Sequence, residues 1–236
     1  FFTITQIAFL IDAYEGLVEE RKLLNYALFV TFFPHLLAGP ILHHKEMMPQ
    51  FDRLRNKVLN WRNLALGLFL FFIGLFKKVV IADPFSAIAK AGFDVAPTLN
   101  FAEAWVASLA YTLQLYFDFS GYSDMAIGAG LLFNIRLPVN FHSPYKATGI
   151  IDSWKRWHIT LTAFITTYVY TPILRSFRRV TFARSLVAVF LAMFVSGIWH
   201  GAGWTFVVWG CLHGAALVLN HLWRKRKWKM PAALGW

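Results

Sequence analysis

Two histidines have the residue type and setting for proton transfer, and His200 is the first of them. It lies in an apolar stretch and is followed by Gly201 and Gly203, which would let a substrate approach the backbone closely. A neutral imidazole can remove a proton from a hydroxyl near pH 7, as a general base must. Because an ionisable group inside a membrane segment is costly, it is a functional hypothesis by default. The alternative is a histidine that only forms a hydrogen bond between helices.

His158 is the second candidate, and aromatic and basic residues surround it. It follows the sequence Trp154-Lys155-Arg156-Trp157 directly. The alternative interpretation is an interfacial belt, where Trp, Lys and Arg collect in any membrane protein.

A polar stripe is predicted on the helix over residues 101–117 and its continuation. Tyr111, Gln114 and Asp118 follow i, i+3, i+7 spacing and therefore share one face. Such a face on a membrane helix normally borders a bundle interior or a water-filled cavity.

Three aspartates, Asp118, Asp124 and Asp152, allow two interpretations. Asp118 and Asp124, which flank residues 120–123, could form an acid/base pair or bind a cation. Alternatively, they cap helices or pair with nearby basic residues, namely Arg136, Lys155 and Arg156. His43 and His44 lie in a charged loop without Cys or His partners at zinc spacing, so we predict no metal site.

The composition indicates what must position these residues. Of 236 residues, 58% are hydrophobic and 15% are charged, whereas an average soluble domain has about 45–50% and about 25%. So few charges cannot cover the surface of a soluble domain, and the single cysteine, Cys211, excludes a disulfide scaffold. The chain is predicted to be an integral membrane protein. Its net charge of +11 fits basic juxtamembrane loops, so we expect no nucleic-acid partner.

The apolar runs predict an all-α, multi-pass transmembrane bundle of about 5–7 membrane segments, including re-entrant or interfacial helices. Residues 26–42 form a kinked span or a re-entrant segment, and 64–82 form one spanning helix. A turn is expected at Asp83-Pro84 and a loop over 92–100. A separate helix rich in small residues is predicted within 119–135, where Gly121, Gly128 and Gly130 permit close helix contact.

Two further spans are predicted in the last part of the chain. Residues 136–160 form a polar connection with a short interfacial helix, and 159–174 form a partial helix. No Asp, Glu, Lys or Arg occurs from Ser185 to Trp223, where a glycine-rich break separates two helices. Both flanks of this hairpin are basic, through Arg184 on one side and the run from Arg224 to Lys229 on the other, so both are expected in the cytoplasm. His200 is expected near the apex of the hairpin and inside the membrane.

Since residue 1 is Phe, we interpret residues 1–236 as a single membrane domain, an N-terminally truncated piece of a longer protein.

Several motifs in order carry a family resemblance, and they cover most of the chain from about residue 30 to 223. They are Tyr116 to Asp124, Arg136 to Phe141, Ser143-Pro144-Tyr145, Trp154 to Leu161 and Ser196 to Trp204. Together they resemble the membrane-bound O-acyltransferase (MBOAT) family, in the branch of the bacterial alginate O-acetylases and the teichoic-acid D-alanyltransferases.

The resemblance implies roles for individual residues. His200 matches the invariant membrane histidine of the family, and His158 matches its second conserved polar position. His158, Trp157 or a backbone N–H near Gly201 would stabilise the oxyanion, or His158 would orient the donor. The substrate or tunnel lining would comprise Trp157, Trp199, Gly201, Tyr111, Gln114 and Asp118.

The resemblance also implies a reaction: transfer of an acyl group, acetyl in the first place, from a thioester to a hydroxyl of a cell-surface polysaccharide. The donor substrate would be acetyl-CoA or an acyl-carrier thioester, with no bound cofactor and no metal. Partners would be membrane lipid, an extracytoplasmic acyl-accepting protein or polysaccharide machinery, and a cytoplasmic acyl carrier. The location would be the inner or plasma membrane. The alternatives are D-alanyl transfer to teichoic acid or, in another class, a proton-coupled transporter with His200 and Asp118 as a relay.

Overall fold

The computed structural model describes residues 2–19, 22–36 and 39–227 of the chain. It is helical, with no strand among those residues, so the all-α prediction is confirmed. The chain forms two compact units, Phe1–Val139 and Asn140–Trp236. Lys229, at the end of the predicted basic run, lies outside the described residues.

The described part of the first unit contains six α-helices: α1 (Phe2–Tyr14), α2 (Leu23–Thr31), α3 (His44–Phe51), α4 (Trp61–Phe76), α5 (Asp83–Lys90) and α6 (Phe101–Leu132). The described part of the second unit contains five: α7 (Ile150–Arg156), α8 (Ile159–Ile165), α9 (Thr171–Ser176), α10 (Phe182–His200) and α11 (Trp204–Lys225). For residues 26–42, the structure shows the end of α2 followed by a short 3₁₀ turn, Phe33–His35; residues 37 and 38 lie outside the described part.

Helices α4 and α5 belong to one continuous helical segment, Trp61–Val95, so the turn predicted at Asp83-Pro84 is wrong. A π-helical turn, Lys77–Ala82, precedes the proline, and the N–H of Asp83 donates to the carbonyl of Lys78. The wider π-turn accommodates Pro84, which lacks an N–H and would clash with a preceding carbonyl in a regular α-helix. A second π-turn, Ala91–Val95, ends the segment, so the predicted loop begins only at Ala96.

Helix α6 runs without interruption through 32 residues, so the prediction of two separate helices over 101–135 is wrong. It begins with a capping box in which Asn100 and Glu103 exchange side-chain-to-backbone hydrogen bonds, each 2.9 Å long. The glycines that suggested a break serve helix packing instead, because Gly121 and Gly128 both face α4.

Paired glycines bring α4 and α6 into backbone contact. A Cβ atom on Gly128 would lie 2.5 Å from the carbonyl oxygen of Gly67, and one on Gly121 would lie 2.7 Å from that of Gly74. Each helix repeats its glycine after seven residues, which places both on the same face. Small residues at such positions are the usual means by which membrane helices approach closely.

Two ion pairs lie beside this contact and correct the predicted partners of the aspartates. Lys77 Nζ is 2.5 Å from Asp124 Oδ2, and Lys78 Nζ is 2.6 Å from Asp118 Oδ1. The predicted pairing of Asp118 and Asp124 with basic residues beyond residue 135 is wrong, because the π-turn in the α4–α5 segment directs both lysines to α6.

In the second unit, α7 is the predicted short helix of the polar connection, and its Asp152 pairs with Arg156 at 3.0 Å as predicted. Helices α8 and α9 are joined by a π-turn, Thr166–Tyr170, into one helical stretch.

The predicted hairpin of two helices is confirmed as α10 and α11. Thr181 begins α10 by accepting a hydrogen bond from the N–H of Arg184, so this helix starts three residues earlier than predicted. A Cβ on Gly197 would lie 2.5 Å from the carbonyl oxygen of Phe206 and 2.9 Å from Cα of Gly210. The two helices therefore touch through their backbones at the end that carries His200.

Three helical segments in the described part of the chain are long and apolar enough to cross a membrane: Trp61–Val95, Phe182–His200 and Trp204–Lys225. Helix α6, where a span was predicted, is not among them. Polar residues such as Gln114 and Asp118 reduce its mean hydropathy. The total of 5–7 membrane segments stays a prediction.

The glycine contact between α4 and α6 predicts a large effect from a small substitution. We expect Gly128→Ala to lower the free energy of unfolding by about 1–3 kcal/mol, because its methyl group would overlap the Gly67 carbonyl. The unfolding temperature of the purified protein in detergent measures the effect. Gly149→Ala is the control, since a Cβ there meets nothing closer than 4.0 Å. Equal stability of the two variants would contradict this account of the contact.

Candidate active site

The two predicted catalytic histidines lie together in the second unit, on either side of Trp199. The ring centroids of His158 and Trp199 are 6.5 Å apart, and those of Trp199 and His200 are 4.9 Å apart. His158 is 2% exposed, whereas His200 ends α10 and is exposed. One group of side chains therefore combines a buried imidazole with an accessible one.

The backbone of His158 has an unusual conformation that hydrogen bonds hold in place. Its φ of 45° lies in the left-handed region, which non-glycine residues adopt rarely and often at functional sites. The next residue, Ile159, donates its N–H to the carbonyl of Asn140 at 2.9 Å. His158 Nδ1 lies 3.1 Å from Oδ1 of the same asparagine.

Burial controls the charge of His158. Desolvation, together with the nearby His200, lowers its pKa from 6.5 to about 3. The imidazole of His158 is therefore neutral at physiological pH.

Aromatic rings of α11 surround His200. Trp209 meets it edge-on with centroids 4.9 Å apart, and Phe206 stacks on it at 6.2 Å. A Cβ on Gly201 would lie 2.5 Å from the Phe206 ring, so the absence of a side chain makes room for that ring. The role of Gly201 in substrate contact stays a prediction.

Trp157 extends the same aromatic group on the other side. Its ring is 5.1 Å from that of Phe141, which in turn stacks on His158 at 6.5 Å. Trp157 and Trp199 therefore both lie in the group that contains His158. Their predicted contact with substrate stays a prediction.

The predicted polar stripe lies in the first unit, on the continuous helix α6. The geometry of this helix confirms that Tyr111, Gln114 and Asp118 share one face. Tyr111 packs against Phe93 with centroids 5.7 Å apart, and Asp118 is in the ion pair with Lys78. Their assignment to a tunnel wall stays a prediction.

A cavity of about 290 Å³ lies in the second unit, and neither His158 nor His200 is among its lining residues. Its walls are mainly apolar, and they include Ser196, one helical turn before His200, and Trp154. The ring centroid of Trp154 is 5.8 Å from that of Trp209, whose ring packs against His200.

His43 and His44 have an acidic neighbour that sequence spacing did not reveal, since Asp12 of α1 lies with them in a group that could hold a metal ion. Asp12 Oδ2 is 2.8 Å from His44 Nε2, 3.4 Å from His43 Nε2 and 3.3 Å from Lys45 Nζ. His43 Nδ1 accepts from the N–H of Lys45, so the neutral ring carries its proton on the nitrogen facing Asp12. This arrangement suits a buried carboxylate held by donors better than a metal ion, and the absence of a metal stays a prediction.

Sequence reasoning missed three neighbours of the histidines: Asn140, Thr160 and Trp209. Asn140 was visible in the motif from Arg136 to Phe141, but nothing in that motif indicates a contact with a histidine 18 residues later. Trp209 directly precedes Gly210, which contacts α10, so the position of Trp209 beside His200 is visible only in the packed hairpin.

Comparison with known proteins gives a consistent result. Residues 4–230 match the MBOAT, membrane-bound O-acyltransferase family. A peptidoglycan O-acetyltransferase of Helicobacter pylori is 51% identical, with 100% of this chain and 50% of that protein covered. A probable alginate O-acetylase, AlgI, of Azotobacter vinelandii is 42% identical, covering 95% and 44%. A teichoic acid D-alanyltransferase of Streptococcus thermophilus is 28% identical, covering 96% and 57%.

The chain spans about half the length of the curated relatives it matches. The match nevertheless extends over nearly all of this chain and includes both histidines and their aromatic neighbours. The protein is a membrane protein and belongs to the membrane-bound O-acyltransferase family.

Proposed function

We propose that the protein transfers an acetyl group from a thioester to a hydroxyl of a cell-surface polysaccharide. The observation that carries the proposal is the grouping of His158, Trp199 and His200 in a chain of this family. The names of the relatives, a peptidoglycan O-acetyltransferase and alginate O-acetylases, support acetyl as the group and a glycan as the acceptor.

In the proposed reaction, His200 is the general base. It takes the proton of the acceptor hydroxyl while the hydroxyl oxygen attacks the thioester carbonyl. The tetrahedral intermediate then collapses, the carbon–sulfur bond breaks, and the thiolate leaves with the proton that His200 held. His200 suits this role because its ring is exposed, and Trp209 and Phe206 pack against it to limit its orientation.

The identities rank the possible acceptors. The chain is 51% identical to the peptidoglycan enzyme, 42% to an alginate enzyme and 28% to a D-alanyltransferase. Peptidoglycan is therefore our first choice of acceptor and alginate the second. D-Alanyl transfer to teichoic acid is the second candidate reaction, and family membership gives no support to the proton-coupled transporter.

The proposed donor is acetyl-CoA or an acyl-carrier thioester delivered from the cytoplasm, with no resident cofactor. The proposed partners are membrane lipid, an extracytoplasmic acyl-accepting protein or polysaccharide machinery, and a cytoplasmic acyl carrier. No nucleic-acid partner is proposed, because juxtamembrane loops account for the basic residues.

We further propose a multi-pass protein of the inner or plasma membrane with the basic end of the α10–α11 hairpin in the cytoplasm. In this hairpin, the start of α10 lies beside the end of α11, since Lys225 Nζ is 4.0 Å from the Phe182 ring centroid. Arg179, Arg184 and Arg224 therefore belong to the same end as Lys225. Such a concentration of basic residues favours the cytoplasmic side.

The catalytic proposal predicts loss of envelope esters when the base is removed. His200→Ala in the full-length protein should reduce alkali-releasable acetate in the cell envelope at least about 100-fold, within the range general acid–base catalysis contributes. Acetate and D-alanine are quantified separately after mild alkali, at matched protein abundance. His142→Ala, an exposed histidine of the same unit, is the control and should retain wild-type acetate.

Loss of D-alanine alone would instead move the assignment to teichoic acid. Unchanged acetate and D-alanine with the protein present would refute the catalytic role of His200 on these substrates.

The orientation proposal predicts one-sided labelling. In a Cys211→Ser background, Arg179→Cys should react with a membrane-impermeant maleimide only after the cells are lysed. Ala202→Cys, in the turn between α10 and α11, should react in intact spheroplasts. The reverse pattern would place the basic end outside the cytoplasm.

A further inference from the structure

The amide oxygen of Asn140 is the meeting point of three polar groups. Oδ1 lies 3.1 Å from Nδ1 of His158, 2.9 Å from the hydroxyl of Thr160 and 3.3 Å from the backbone N of Thr160. The three residues are 1%, 2% and 7% exposed, in the order Asn140, His158 and Thr160. Water therefore competes little for these hydrogen bonds, and their geometry determines where the protons lie.

The backbone N–H of Thr160 distinguishes the side-chain oxygen of Asn140 from its side-chain nitrogen. A backbone N–H can only donate, so the Asn140 atom that faces it must be the oxygen and not the nitrogen. The same oxygen faces His158 Nδ1, which must then carry a hydrogen and donate it. In neutral His158 the lone pair is consequently on Nε2.

The chain around His158 supports this arrangement from both sides. Ile159 donates its N–H to the Asn140 carbonyl, and His142 donates its N–H to the Arg156 carbonyl, each at 2.9 Å. Residues 140–142 thereby bracket the left-handed backbone conformation of His158. A flip of the imidazole ring would put Cδ2 in the place of Nδ1 and break the contact with Asn140 Oδ1.

We propose that Asn140, supported by Thr160, is a positioning residue that holds His158 as the Nδ1–H tautomer, so that Nε2 accepts a hydrogen bond from a hydroxyl of the acceptor next to the one that reacts. The proposal rests on the proposed function and deepens it. His158 orients the acceptor through this neighbouring hydroxyl, and His200 removes the proton of the hydroxyl that attacks the thioester. Since the lone pair of Nε2 cannot donate to an oxyanion, oxyanion stabilisation falls to a different group that carries a hydrogen.

The low pKa of His158 agrees with this division of roles. A histidine with a pKa of about 3 is a weak base near pH 7, but it remains a neutral hydrogen-bond acceptor.

Two substitutions of Asn140 distinguish the effect of its amide oxygen from the effect of its side-chain volume. Asn140→Leu removes the acceptor and should lower kcat by roughly 10-fold to 100-fold with little change in KM, the usual size of an effect on an orienting partner. Asn140→Asp keeps an oxygen at the same position and should restore most of kcat. Both variants are assayed as the full-length protein in lipid nanodiscs, with p-nitrophenyl acetate as the donor and a chito-oligosaccharide as the acceptor. Full activity of Asn140→Leu, or equal loss in both folded variants, would overturn the proposal.

A spectroscopic measurement tests the tautomer without using activity. In the full-length protein labelled with ¹⁵N-histidine, the signals of His158 are identified by their loss in His158→Gln. The wild type should show a protonated Nδ1 and an unprotonated Nε2 near pH 7, and Asn140→Leu should shift the population towards the other tautomer. A wild-type spectrum with protonated Nε2 would overturn the proposal even if Asn140→Leu fails to fold.

The envelope assay of His200→Ala and the nitrogen spectrum of His158 together distinguish a failure of this inference from a failure of the proposed function. If His200→Ala retains its envelope acetate and D-alanine, the proposed function fails, whereas the nitrogen spectrum still decides the tautomer of His158. If His200→Ala loses acetate but the spectrum shows protonated Nε2, acyl transfer stands and the role of Asn140 fails.

Discussion

The backbone contact between Gly197 of α10 and Gly210 of α11 is the constraint that places His200 in the candidate site. At this point the helices are so close that a Cβ on Gly210 would lie 3.1 Å from Cα of Gly197. Lipid tails are as apolar as the helix surfaces, so membrane helices gain little from the hydrophobic effect and associate through close packing. Since His200 is three residues beyond Gly197 and Trp209 directly precedes Gly210, the contact brings the imidazole and the indole together.

The first unit uses the same device to bring charges together. Gly67 and Gly74 of α4 meet Gly128 and Gly121 of α6, and the lysines of the adjoining π-turn reach the aspartates of α6. A charged side chain in an apolar setting is costly unless it is paired. Close glycine packing and ion pairing are thus linked. Because the two helices are close together, Lys77 reaches Asp124 and Lys78 reaches Asp118.

His158 and His200 differ in environment although they belong to one candidate site. His158 is buried, has a strained backbone and is held by Asn140. His200 is exposed at a helix end, between aromatic rings. When environments differ in this way, two residues of the same type can take different parts in one reaction. Burial keeps the His158 imidazole neutral, and the end of α10 leaves the His200 imidazole accessible.

The sequence by itself determined the helical class, the membrane setting, the hairpin around residues 201–203 and the choice of His158 and His200. These features depend on composition, apolar run length and local residue types, which are written along the chain. Tertiary structure alone decided that Pro84 continues a helix, that Gly121 and Gly128 pack rather than break α6, and that Lys77 and Lys78 pair with its aspartates. It also decided that the Asn140 oxygen faces His158. The physical reason is that each of these outcomes depends on a contact between residues far apart in sequence, whose distance and direction local spacing does not specify.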